Sequence, residues 1–152
     1  MRTWLIVIST ILLTFFSSAH AQDSQGTSTT NSPVTVESYY RIKWGELDSF
    51  LRFYKKNHQS LLERMKEQGF IKSTLMQEPY THMTGDARWD LRVTITYRDA
   101  DAALFGKEIA AQWKIAQDRL YPDTTLFRNE EKSRFGLVEE HWDLVVMDLV
   151  PN

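Results

Sequence analysis

Between Val34 and Leu149 the apolar residues recur first at every second position, then at every third or fourth, then at every second again across two separate runs. The three-to-four step follows once more, and alternation closes the chain. Alternation marks a half-buried strand, and the longer step marks a one-sided helix. The order is therefore strand, helix, strand, strand, helix, strand.

The elements read as follows. Val34, Val36, Tyr40 and Ile42 fall on one side of the first strand, and Glu37, Tyr39, Arg41 and Lys43 on the other. Gly45 ends that strand. Leu47, Phe50, Leu51, Tyr54, His58, Leu61, Leu62 and Met65 form the stripe of the first helix. Gly69 suits the left-handed stop just past it. Phe70 to Glu78 is the second strand, and Pro79 to Arg88 the turn of a long hairpin. In the third strand Trp89, Leu91, Val93, Ile95 and Tyr97 alternate with polar residues. Asp99 is placed to cap the next helix, whose stripe runs from Ala102 to Leu120. Tyr121 to Gly136 is a long connector, read either as a lid over a pocket or as a cover for a sheet edge, with a short amphipathic helix over Leu126 to Phe135. Leu137 to Leu149 is the last strand.

This order is the ferredoxin-like βαββαβ arrangement, an α+β fold. It predicts a four-stranded antiparallel sheet with two helices on one face. Two helices leave the second face uncovered. On the two middle strands that face carries Glu37, Tyr39, Arg41, Asp90, Arg92, Thr94 and Thr96. On the last strand it is expected to carry His141, Asp143, Val145 and Met147. Such a mixture suits a partly enclosed polar cavity with charges paired across it.

The N-terminus reads as a leader. Arg2 precedes the apolar run Trp4 to Phe16, and Ala19-His20-Ala21 fits a small-x-small cleavage site. The run is short of the roughly 20 residues of a spanning helix, the uncleaved anchor being the rival reading. Residues 1–21 are thus expected to be a signal peptide, 22–33 a flexible tether, and 34–152 one domain in a periplasmic or secreted protein. The chain has no cysteine, which excludes disulfides, a thiol nucleophile and thiolate metal sites. A formal net charge of −2 is no footprint for nucleic acid, and no membrane partner is expected once the leader is gone.

Candidate chemistry is sparse. His141 stands two residues before Asp143, so both share a strand face, and a carboxylate there orients an imidazole for acid/base work. They are the candidate catalytic pair, set against chance spacing. Arg41 and Arg92 on neighbouring strands suit a clamp for a carboxylate or phosphate. Their rival reading is pairing with Glu37 and Asp90 across the sheet. Tyr39, Arg41, Arg92 and Asp90 are the candidate ligand-binding residues. His58 reads as a hydrogen-bonded core histidine, His82 as exposed, and the four tryptophans past the leader as core and interface filler. No zinc spacing and no phosphate loop is present, so neither a metal nor a cofactor is expected.

The stretch Tyr39-Tyr40-Arg41-Ile42-Lys43-Trp44-Gly45-Glu46-Leu47-Asp48-Ser49-Phe50-Leu51 resembles the opening of dimeric α/β-barrel proteins, the NIPSNAP-like and stress-responsive groups. The resemblance implies a homodimer whose two sheets face each other around a barrel-like interior. Members of that superfamily include cofactor-free monooxygenases and haem-handling enzymes. The monooxygenases carry an Asn on the first strand and a His on the second helix. Here Tyr39 and Arg41 stand on that strand, and no histidine lies between Asp99 and Tyr121. The expected function is binding, with or without transformation, of a small polar or anionic organic molecule between the sheets. The alternative is a non-catalytic interaction domain.

Overall fold

A computed structural model describes residues 32–81 and 83–147. The leader, most of the tether, His82 and the end of the last strand lie outside the described residues.

Strand β1 (Val34–Ile42) is followed by a long helical arm made of α1 (Leu47–Phe53), a π-helical turn (Tyr54–Gln59) and α2 (Ser60–Glu67). Strands β2 (Ile71–Gln77) and β3 (Leu91–Tyr97) come next. Three helices follow, α3 (Ala100–Ala103), α4 (Lys107–Leu120) and α5 (Thr124–Gly136), and β4 (Val138–Val146) closes the fold. The sheet order is β2-β3-β1-β4 with antiparallel pairing throughout. The fold is ferredoxin-like, as the order of elements predicts.

Local chemistry explains the boundaries. Gly69 takes φ 80 after α2, its N–H bonds Lys66 O, and the Phe70 N–H bonds Met65 O. This left-handed stop uses up two carbonyls that the helix end leaves unpaired, with Phe70 and Met65 buried beside it. The Asp99 carboxylate accepts from the Ala102 N–H at 2.8 Å, the expected cap. The single helix expected after it is broken. Phe105 adopts φ 58, a conformation disfavoured for a residue with a Cβ, and a Cβ on Gly106 would collide with the Asp101 carboxylate. The chain turns there and restarts as α4. The connector is ordered as a full helix: Asp123 accepts from the N–H groups of Thr125 and Leu126 at 3.0 and 2.9 Å.

The core lies between the helical arm and the sheet. Phe50, Leu61 and Met65 from the arm meet Ile42, Val93 and Ile95 from the middle strands, all essentially without exposure. Among the described residues no helix covers the other side of the sheet.

Candidate functional site

The register of β1 fixes which side chains share a face. Val36, Ser38 and Tyr40 point to the helices, and Glu37, Tyr39 and Arg41 point away, as their alternation predicts. On β4 the expectation is reversed. Tyr40 pairs with His141, Ser38 with Asp143 and Val36 with Val145, so these three residues of β4 lie on the helix side. The open face receives Glu140, Trp142, Leu144 and Val146 instead. A shift of one residue exchanges the faces of a strand. Here polar anchors set the register: the Ser38 hydroxyl donates to Asp143, and the His141 ring stacks 4.3 Å from that of Tyr40.

The open face is accordingly more apolar than expected. Tyr39 stacks parallel on Trp142 at 5.4 Å and meets Trp89 edge-on at 5.8 Å. The Tyr39 hydroxyl donates to Glu37 at 2.6 Å. Arg92 donates to Gln77 at 2.6 Å, lies 3.7 Å from Glu37 and covers the Trp89 ring. Leu75 and Leu144 are 53% and 48% exposed beside them. Arg41 does not join Arg92 in a clamp. It donates to the carbonyls of Arg88 and Asp86 and pairs with Glu140 at 3.1 Å, tying the hairpin to the sheet. Asp90 accepts from the Ile42 N–H at 2.7 Å and pairs with Arg88 at 2.9 Å. Both therefore have structural partners. Trp44, expected as filler, is 72% exposed with the Arg88 guanidinium over its ring.

The helix side holds a cavity of about 390 Å³, within the range of small-ligand pockets. It is bounded by the π-helical turn, α2, α4, α5 and Tyr97 at the end of β3. His58 lines it, its ring 5.0 Å from Tyr54 and 5.7 Å from Trp113. Arg134 is 2% exposed, with contacts of 2.7 and 3.2 Å to Glu131. Its guanidinium lies 4.2 Å over the Phe135 ring, and its Nη1 has no acceptor among the described residues. Asn57 is 0% exposed, and neither end of its amide has a partner among them. Phe105 stands at the rim, its strained backbone holding the ring edge-on to Trp113 at 5.3 Å.

Burial sets the protonation states. It lowers His58 to about 4, helped by the nearby Arg134 charge. It raises Tyr40 and Tyr97 to about 12, with Arg134 opposing the rise at Tyr40. His141 is also lowered by burial, against the pull of Asp143, whose carboxylate lies 3.5 Å from Nε2. At neutral pH the imidazoles are uncharged and the phenols protonated. Such groups exchange hydrogen bonds with a guest more readily than they abstract its protons.

Periodicity alone passed over Asn57, Glu131 and Arg134. The π-helical turn is the reason for the first: a widened turn brings Asn57 inward beside His58, off the 3.6-residue stripe. The other two had a signal. Glu131 and Arg134 follow Phe127 by four and seven residues, placing a charged pair on the apolar stripe of α5.

No family profile matches the chain, and no curated protein matches it. Solved structures do. A dimeric ferredoxin-like protein from an uncultured marine organism aligns with a TM-score of 0.50 at 12% identity, over 84% of this chain and 100% of that one. A hypothetical protein of Arabidopsis thaliana aligns with a TM-score of 0.52 at 10% identity, over 83% and 96%. A NIPSNAP family protein from Agrobacterium tumefaciens aligns more loosely, with a TM-score of 0.45 at 12% identity over 78% and 88%. At these identities the likeness is one of fold.

Proposed function

We propose that the chain is an exported homodimer that binds one small organic molecule per copy, in the cavity on the helix side of each sheet. The observation that carries the binding reading is the set of shielded, unpartnered polar atoms of Asn57 and Arg134 in the cavity lining. Buried polar groups are nearly always paired, so atoms left unmet beside a cavity of this size point to a guest. The dimer reading rests on the uncovered face, where Trp142, Leu144, Val146 and Leu75 surround the Tyr39–Arg92 network. The marine neighbour of the same fold is itself dimeric.

The guest site therefore moves from between the sheets to beneath the helices. On the open face Glu37 and Gln77 already engage Arg92, while Arg41 and Asp90 serve the hairpin. Binding is the proposed role, and the neutral His58 is a hydrogen-bonding partner in it.

Native mass spectrometry of freshly purified full chain, with light scattering alongside, tests both parts. A dimer that carries, or is thermally stabilised by, a small organic molecule is the expected result. A dimer that no member of a broad compound panel stabilises leaves the interaction-domain reading in its place. A strict monomer overturns the dimer.

A further inference from the structure

The cavity lining carries no net charge. Arg134 and Glu131 are its charged side chains among the described residues, and they neutralise each other in direct contact. His58 and Tyr97 are uncharged at neutral pH. The unmet atoms are of a different kind: Arg134 Nη1 and Asn57 Nδ2 are donors, and Asn57 Oδ1 is an acceptor.

Building on the cavity reading above, we infer that the ligand is an uncharged, mainly apolar molecule with an acceptor and a donor side by side, as on a carboxamide edge, which pairs with Asn57 and Arg134. A carboxylate guest would have to draw Arg134 away from Glu131 and would leave a surplus negative charge under the helices. An ammonium guest would compete for Glu131 and strand Arg134. Breaking a buried pair is strongly unfavourable because it leaves one charge without compensation. An amide edge leaves the pair intact, offers its carbonyl to the two donors and its N–H to Asn57 Oδ1. Water does not reach those atoms, so the guest meets them by displacing the side chains that cover them, and doing so removes an existing penalty rather than exchanging one hydrated bond for another. Apart from Gln117, His58 and Tyr97, the remaining wall is apolar and aromatic, with Leu61, Leu62, Phe105, Trp113, Phe127 and Phe135.

Four probes of one shape separate the possibilities: 3-phenylpropanamide, 3-phenylpropanoate, 3-phenylpropylammonium and propylbenzene. Each is titrated into the full chain by NMR, with the Trp113 indole N–H reporting occupancy of the cavity. The amide is expected to bind at least tenfold more tightly than the other three and to shift the Trp113 signal. Asn57→Leu is expected to bring the amide down to the affinity of propylbenzene. Tighter binding of either ion overturns the uncharged class. Equal binding of propylbenzene overturns the polar edge. Both of these results leave the cavity as a binding site. A Trp113 signal that no probe moves removes the cavity reading, and this inference with it. The comparison on the unsubstituted chain is decisive even where Asn57→Leu fails to fold.

Discussion

The Ser38 hydroxyl donates to Asp143 Oδ1 across 2.5 Å, bridging β1 and β4 on the side of the sheet that the helices cover. The bond links residues far apart in sequence and helps fix the register of an edge strand. Ser38→Val removes the donor while keeping a strand-forming shape. The Asp143 side chain is half exposed, so water takes over as its partner, and the expected loss is about 1 kcal/mol. Urea denaturation of the variant and the parent checks it.

His58 makes stability depend on acidity. The folded chain holds its imidazole near 4, whereas in the unfolded chain it titrates near 6.5. Between those values the unfolded state binds the proton that the fold refuses, so acid favours unfolding. The stabilisation is complete above about pH 6.5, falls as pH drops towards 4 and levels off below it. At about 1.4 kcal/mol per unit, the shift from 6.5 to about 4 totals roughly 3 to 4 kcal/mol. His58→Leu is expected to flatten most of this slope in urea titrations run across that range. The smaller contribution of His141, lowered in the same direction, remains.

Arg134 and Glu131 stand or fall together. Arg134→Met leaves the Glu131 carboxylate without its partner in the cavity wall. The expected loss is about 3 kcal/mol, the low end for a broken buried pair because Glu131 keeps some solvent. Arg134→Met combined with Glu131→Leu is expected to recover more than half of that loss. A double-mutant cycle measured by chemical denaturation tests it.

The open face should be separable from the fold. Trp142→Glu places a carboxylate where Tyr39 stacks, on the uncovered side of the sheet. A monomer by light scattering, with an unchanged circular-dichroism spectrum, is the expected outcome. A variant that stays dimeric would show that the copies meet elsewhere.

Much of this molecule was legible from spacing alone. The element order, the Asp99 cap, the Gly69 stop and the two faces of β1 all follow from local rules that act within a few residues. The face of β4 does not, because Trp142, Leu144 and Val146 look like core when the uncovered side is assumed to be polar. That side is itself half apolar, and the polar residues His141 and Asp143 turn inward to Tyr40 and Ser38. The site suffered in the same way. His141 and Asp143 share a strand face, as their spacing predicts, but it is the face that the helices cover. Arg41 and Asp90 look free in sequence, yet the returning hairpin engages both. Such partners come from distant segments, which no local period encodes.

The π-helical turn over Tyr54–Gln59 has one more consequence. It absorbs a spare residue, so both halves of the arm face the sheet although their residue counts are offset by one. Deleting Asn57 would let the backbone ladder close as an ordinary α-helix. Everything C-terminal to it would then keep its facing, and Leu61 and Met65 would stay against the sheet. A shortening there spares the core and is felt in the guest chamber alone.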